Sequence, residues 1–299
     1  MKRKTIDPTT QAELMLWALA MIWGGSFVAA KFSIESFSPY PVMVIRFFLG
    51  ALLLLLAVPA ARKRPDRITW IGGIELGLLL GIATAFQMVG LQYTTPANQT
   101  FIIVSYVVTV PLLRFVFRRV VPGRHIALAA LFTVAGVGFL TVGPNFHLNR
   151  GDVLTFIMSL LFAVQILRID RYMPHIDNAV QFTVIQLIVA GAISLALWFF
   201  MKRPVFTGPV TLRAVGGLTY IVVLNTAIAY LLQNYAQRYA PPDKSALIIS
   251  SESLFGTFAA YVFAGEVFYP KKILGCVLIL VGQFFAQVLP TLKRRAAKK

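Results

Sequence analysis

Runs of about 20 apolar residues recur from one end of this chain to the other, with only short polar corners between them. A helix of roughly 20 residues crosses the ~30 Å hydrocarbon core of a bilayer. Lipid offers the backbone no hydrogen-bond partners, so such runs must close their own bonds as helices. Spans are expected at 13–31, 40–59, 70–91, 96–117, 125–142, 152–169, 179–201, 213–235, 243–264 and 272–290. The expected fold class is therefore an all-α integral membrane protein of ten transmembrane helices, with no room for a soluble domain. Composition agrees, since 58% of the residues are hydrophobic and 13% charged, about half the charged share of a soluble domain.

A net charge of +17 raises the question of nucleic acid, and its distribution answers it. The basic residues sit in corners and tails, as in Lys2-Arg3-Lys4, Arg62-Lys63-Arg64 and Lys293-Arg294-Arg295. No basic domain lies outside the spans, so no nucleic-acid partner is expected. With the N-terminus in the cytoplasm, 20 of the 28 Lys and Arg residues fall on the cytoplasmic side and 7 outside, Arg46 alone lying within a span. The positive-inside rule then places both termini in the cytoplasm, and the cell (inner) membrane is the expected location. The corner with Lys202, Arg203 and Arg213 runs against that rule. The basic start followed by an apolar run has the outline of a signal peptide, but no clear cleavage site follows, and it reads as the first permanent span. Cys276, the single cysteine, permits neither an intrachain disulfide nor a thiolate metal site. No metal or other cofactor is expected.

The chain also repeats. Shifting residues 83–142 by 146 positions aligns Gln87 with Gln233, Tyr93 with Tyr239, Pro96 with Pro242, Ser105 with Ser251 and Gly136 with Gly282. Near the start, Val44-Ile45-Arg46 aligns with Val184-Ile185-Gln186 at a shift of 140. The expected units are 1–148 and 149–299, each with five spans. Five is odd, so the second unit must be inverted relative to the first. Inverted repeats about a midplane site are a transporter arrangement.

Trp23-Gly24-Gly25-Ser26-Phe27 resembles the WGxxF start of EamA-like members of the drug/metabolite transporter superfamily. Gly265-Glu266, then Gly275 and Ile279-Leu280-Val281-Gly282, is similar to that family's ending, and Arg46 falls where the family usually has an arginine. The resemblance implies ten helices in two inverted repeats around a central cavity, moving small metabolites by alternating access. Two positions depart from the pattern: Val120 where a glutamate matching Glu266 would fall, and Phe162 where the second repeat often carries tryptophan.

Polar residues within spans are the candidate site. Gln99, Tyr106 and Thr109 share a face of the fourth span, with repeat mates Ser245, Glu252 and Phe255. Thr226, Tyr230 and Gln233 share a face of the eighth span, with Thr84 and Gln87 as mates of the last two. Trp23 and Ser26 pair with Phe162 and Gln165 at a shift of 139. If the repeats enclose a cavity, these faces line it with amides, aromatic rings and one carboxylate. The plainer alternative for Gln87 and Gln233 is helix cross-linking, for the hydroxyls bonding to their own backbone, and for Trp23 packing. Arg46 is expected to be structural, bonding carbonyls or a carboxylate, with outward snorkelling as its escape. Glu266, Glu35 and Lys31 are expected to be solvated or to fix corners.

Glu252 has about ten residues of apolar helix on either side. An ionisable residue at that depth is costly and normally marks function. It can take up a proton in one state and release it in another, or pair with a substrate ammonium; the alternative is a permanently protonated acid donating one hydrogen bond. The function expected is a secondary transporter of amino acids or related zwitterions and amines, as an exporter, with the proton as a further partner. A drug or nucleotide-sugar-like exchanger of the same fold is the alternative. His125, His147 and His175 lie in or beside corners and no HExxH motif occurs, which leaves a membrane-embedded enzyme little support. A channel would need more than one lone carboxylate for selectivity.

Overall fold

The computed structural model describes residues 7–119, 124–141 and 149–296. Lys2-Arg3-Lys4, Val120, His147 and the junction between residues 148 and 149 lie outside these residues, as do the side chains of His125 and of the C-terminal basic cluster. Among the described residues the helices are α1 (Pro8–Ser36), α2 (Pro39–Ala57), α3 (Arg67–Gly90), α4a (Pro96–Ile103), α4b (Tyr106–Arg118), α5 (Arg124–Thr141), α6 (Arg150–Tyr172), α7 (Ala179–Met201), α8 (Leu212–Gln237), α9a (Pro242–Ile249), α9b (Glu252–Ala264) and α10 (Pro270–Ala296). Seven membrane-crossing candidates, the joined α4a and α4b among them, are long and apolar enough to span a bilayer, and α10 carries a shorter apolar stretch, Ile273–Gly282.

The starts of these helices are written in the residue types. Proline opens α1, α2, α4a, α9a and α10, where its missing N–H costs nothing and its fixed φ suits the first turn. Side-chain caps open others: Asp66 accepts from the Thr69 N–H at 3.0 Å, Asn178 from Val180 at 3.0 Å, and Thr211 from Ala214 at 3.1 Å. Each satisfies a backbone donor that the helix itself leaves unpaired.

Hydrogen bonds between corners sort them into two ends. At one end Ser36 Oγ donates to the Pro209 carbonyl at 2.7 Å, Asn149 Nδ2 to Tyr93 O at 2.7 Å, and the Ala97 N–H to Glu266 Oε1 at 3.1 Å. At the other, Asn178 Nδ2 donates to Ala60 O at 2.9 Å, Arg238 Nε to Met173 O at 3.4 Å, and Lys244 pairs with Glu13. Corners that alternate along the chain thus lie at opposite ends, as up-and-down helices require. The corner that offends the positive-inside rule is built into the first of these ends. Ser38 N–H donates to Val205 O at 2.9 Å, and the Arg213 guanidinium lies 3.7 Å over the Phe32 ring. Glu266 fixes a corner by capping α4a, and Lys31 fixes one by donating to Leu91 O at 3.2 Å.

Packing carries the repeat. The pairs α1–α8 and α6–α3 correspond, as do α1–α9 with α6–α4 and α2–α8 with α7–α3, while α2–α7, α4–α9 and α5–α10 pair each helix with its own counterpart. Exchanging the halves leaves the main packed pairs unchanged. That is a pseudo-two-fold arrangement, with the axis running between α4 and α9.

The fourth and ninth spans, expected as single helices, are each broken, at Val104-Ser105 and at Ser250-Ser251. These are equivalent positions at the 146-residue shift. Both breaks tighten to three-residue bonding, with Ser105 N–H donating to Ile102 O at 3.1 Å and Ser251 N–H to Ile248 O at 3.1 Å. A short 3₁₀ turn keeps the backbone bonded while redirecting the helix, so neither glycine nor proline is needed at the break.

The two second halves also end alike. Arg119 (φ 54°) closes α4b and its mate Gly265 (φ 64°) closes α9b, both left-handed. For a side-chain residue that conformation costs about 1 kcal/mol. Nothing lies within 4 Å of a Cβ built on Gly265, so only backbone strain is at stake. Gly265→Ala is expected to lower stability by about 1 kcal/mol and Arg119→Gly to raise it by a similar amount. Thermal unfolding midpoints in detergent check this; shifts of the opposite sign would show that these helix ends are not left-handed.

Candidate functional site

Each break hands the first position of the resumed helix to a polar residue, Tyr106 in α4b and Glu252 in α9b. The two are repeat mates, and they touch: Tyr106 Oη donates to Glu252 Oε1 at 3.1 Å. Residues equivalent by symmetry can meet only at the axis, so this hydrogen bond marks it. Glu252 is 2% exposed and Tyr106 fully buried. The carboxyl group lies in the first turn of α9b, where the helix dipole favours negative charge.

Around this pair stands an aromatic wall. Trp23 meets Phe162, again its repeat mate, with ring centroids 5.2 Å apart, and Tyr230 at 5.6 Å; Tyr106 meets Phe162 at 5.2 Å. Such edge-on contacts add about 0.5–1.5 kcal/mol each beyond area burial. The approach of α1 that makes this possible requires Gly24. A Cβ there would lie 2.8 Å from Glu252 O and 2.8 Å from Gly256 N, both backbone atoms. The two glycines of Trp23-Gly24-Gly25-Ser26 therefore serve close packing against α9b and α8, since a Cβ on Gly25 would lie 2.7 Å from Tyr220 Oη.

Opposite α2, the middle of α8 is π-helical over Ile221–Ile228. Five-residue bonding aligns positions five apart, whereas an α-helix separates them by about 140°. Asn225 is thereby turned to the same cavity as Tyr230. It also accepts from Arg46 Nη2 at 3.3 Å, and Thr226 Oγ1 accepts from Arg46 Nε at 3.0 Å. Arg46 is 2% exposed and lies 5.1 Å from the centroid of the Phe47 ring. It does not snorkel, and its partners are the Thr226 hydroxyl and the side-chain carbonyl of Asn225. Tyr230 interacts electrostatically with both Arg46 and Glu252. Tyr230 is thus within electrostatic reach of a buried cation and of a buried carboxyl group, and no ion pair joins those two among the described residues.

The polar residues expected at the site separate into three groups. Trp23, Ser26, Gln87, Tyr230 and Glu252 line one cavity, joined by Asn225, Met158 and Phe162. Directly behind them, Tyr106 bonds Glu252 and Thr84 lies buried beside Tyr230. The others lie elsewhere in the interior. Gln99 Nε2 donates to Gln87 O at 2.9 Å and Thr155 Oγ1 at 3.2 Å, tying α4a to α3 and α6. Gln165 and Gln233 are fully buried, and neither amide atom of either has a hydrogen-bond partner among the described residues; the Trp23 indole nitrogen is alike. Ser26 Oγ donates to Trp23 O at 2.7 Å, the backbone bond that serines in spans commonly make.

The cavity measures about 20 Å³, room for one water molecule. The helices are therefore closed around the site in this conformation. Asn225 was not among the residues expected here. An amide in the middle of Ile-Val-Val-Leu-Asn-Thr-Ala-Ile is a signal of sorts, since polar groups at membrane depth are expensive. Helical periodicity alone turns it away from Tyr230, because that period assumes an unbroken α-helix.

Comparison with known proteins bears on what such a cavity serves. The EamA-like transporter family matches this chain twice, over residues 10–142 and 149–287. A protein of Archaeoglobus fulgidus described as an uncharacterised transporter is 28% identical over 280 residues, covering 90% of this chain and 83% of its own. The Bacillus subtilis transporter YyaM is 23% identical, covering 90% and 91%. The Escherichia coli inner membrane transporter YedA is 27% identical over half of each chain, 50% and 49%. One solved crystal structure shares the fold, with a TM-score of 0.68 at 16% identity over 94% of this chain and 97% of that one. These matches point to a multi-pass membrane transporter rather than an enzyme. With the family's sequence pattern present in both halves, this chain belongs to the EamA-like transporter family.

Proposed function

We propose that this protein exports small zwitterionic metabolites, amino acids or related amines, across the inner membrane in exchange for protons. The observation that carries the reading is the separation of Arg46 and Glu252. Both are buried, each acts on Tyr230, and they bond to different partners, Thr226 and Asn225 for Arg46 and Tyr106 for Glu252, rather than to each other. A zwitterion supplies both missing partners: its ammonium fits the Glu252 carboxylate, and its carboxylate fits the end of the cavity where Asn225 carries the field of Arg46 to the wall. A polyanion such as a nucleotide sugar fits poorly beside Glu252. Trp23, Phe162 and Tyr230 suit the side chain between the two charges.

Direction follows from competition. Glu252 can hold a proton or a substrate ammonium, and not both at once. Binding of one expels the other, which is exchange. A cell membrane energised with protons outside then drives substrate outward. The two five-helix units, 1–148 and 149–299, would rock about the Tyr106–Glu252 contact, with both termini cytoplasmic as the basic corners favour. Opening must widen the water-sized cavity, and the two 3₁₀ breaks are where α4 and α9 can bend.

In proteoliposomes, wild type is expected to accumulate an amino acid against its gradient when a pH difference is imposed. Glu252→Gln is expected to lose that accumulation and to keep counterflow exchange only with KM raised about tenfold or more, since the ammonium loses its charged partner. Equal accumulation by the variant at every pH would remove the coupling role. Arg46→Gln is expected to raise KM for an amino acid about tenfold or more, the worth of one charge-assisted bond, and to leave transport of the corresponding decarboxylated amine unchanged. Equal losses for both substrates, with an unchanged melting temperature, would show that Arg46 takes no part in carboxylate recognition.

A further inference from the structure

Buried amides without partners gather toward one end of the bundle. Gln165 on α6 and Gln233 and Gln237 on α8 are at most 2% exposed, and neither the oxygen nor the nitrogen of any of them has a hydrogen-bond partner among the described residues. Gln186 Nε2 on α7 and Asn234 Oδ1 on α8 are alike. All lie toward the Ala60 and Met173 corners, in the second half of α6, the first half of α7 and the last turns of α8. The basic corners favour this end as cytoplasmic. A glutamine that cross-links helices is bonded, as Gln99 is to Gln87 O and Thr155 Oγ1. A buried amide left unbonded is costly and calls for another explanation.

The repeat supplies one. Gln165 is the mate of Ser26 and Gln233 the mate of Gln87, and Ser26 and Gln87 line the water-sized cavity together. Ile103 and Phe27 line it too, and their mates are Ile249 and Ile166. Exchanging the halves about the axis therefore carries the cavity to the place where Gln165, Ile166, Gln233 and Ile249 pack. All four are fully buried, and apolar side chains, Leu19 among them, fill the space. The half of the site toward the Tyr93 and Pro209 corners thus holds a cavity, and its equivalent toward the Ala60 and Met173 corners is shut on side chains that bond nothing.

We propose that Gln165 and Gln233 are the solute contacts of the cytoplasm-facing conformation. When α6 and α8 part at this end, their amides give and accept hydrogen bonds with a small polar solute and the water that accompanies it, the part that falls to Ser26 and Gln87 on the other side of the axis. Neutral amides suit a zwitterion in transit, because they bond either end and trap neither. Gln237, one turn beyond Gln233, continues the path toward the surface. The inference rests on the transporter reading above, and not on the identity of the solute or on the proton.

Cys276 is the single cysteine, so Cys276→Ser gives a background in which an introduced cysteine reports alone. In the full chain with that change, Gln165→Cys and Gln233→Cys are each expected to react with a membrane-impermeant charged maleimide several-fold faster in inside-out vesicles than in right-side-out ones, and Ser26→Cys with the opposite sidedness. Reaction at positions 26, 165 and 233 from one and the same face, or no reaction at 165 and 233 from either, would overturn the assignment. Gln165→Leu and Gln233→Leu, which remove the unbonded amides at nearly constant volume, are each expected to raise the melting temperature in detergent by about 2 °C or more and to slow amino-acid counterflow about tenfold. A lowered melting temperature with counterflow unchanged would show that the amides only hold helices together, and would overturn it as well. Labelling on opposite faces by a protein that carries no amino acid would refute the substrate class proposed for the central cavity and uphold these contacts.

Discussion

Bringing a carboxyl group to the centre of an apolar bundle costs several kcal/mol unless the protein supplies a partner. At Glu252 that partner is a hydroxyl from the other repeat, and the geometry of the rest follows from it. The Tyr106–Glu252 bond requires two half-helices to start at the same depth, which the paired breaks at Ser105 and Ser251 provide. Beside it α1 packs against the α9b backbone, an approach that Gly24 and Gly256 permit. Because the bond joins a phenol to a carboxyl group rather than two ions, breaking it separates no charge. A contact of that kind can open and close on an axis where an ion pair would lock.

The scaffold is symmetric and its chemistry is not. Trp23 and Phe162 are mates, and so are Tyr106 and Glu252; in each pair the two halves contribute different groups to one wall. Arg46 reaches Asn225 and Thr226 on α8, while its mate Gln186 accepts from Asn234 at 2.9 Å. The π segment of α8 has no counterpart in α3, which is α-helical throughout. Inverted repeats need equivalence in the backbone to alternate between two faces. Recognition needs only that the axis be surrounded by unlike side chains, and it is at the axis that the unlike pairs meet.

Much of this was legible in the residues. Span length, the 146-residue repeat, the family resemblance and the depth of Glu252 all follow from hydrophobic runs and from polar residues matched at one offset. The broken helices were not, because Val104-Ser105 and Ser250-Ser251 contain no glycine or proline, and a 3₁₀ turn leaves the apolar count of a span unchanged. Asn225 escaped for a related reason: a π segment changes the facing of every residue beyond it without altering composition. The two residues that hold Arg46, Asn225 and Thr226, lie in that same π segment, so its partners could not be named from the sequence. Gln99, Gln165 and Gln233 share helical faces with cavity residues and still lie elsewhere, because a face is wider than the wall it contributes to.

The central claim is that one carboxyl group on the pseudo-two-fold axis exchanges a proton for a substrate ammonium. The direct measurement is proton release when substrate binds to the purified protein in weakly buffered detergent solution, followed with a pH indicator at a pH where Glu252 is protonated in the free protein. About one proton released per substrate bound by wild type, and none by Glu252→Asn, is the predicted result. Saturable binding with no proton released by wild type at any pH would contradict it.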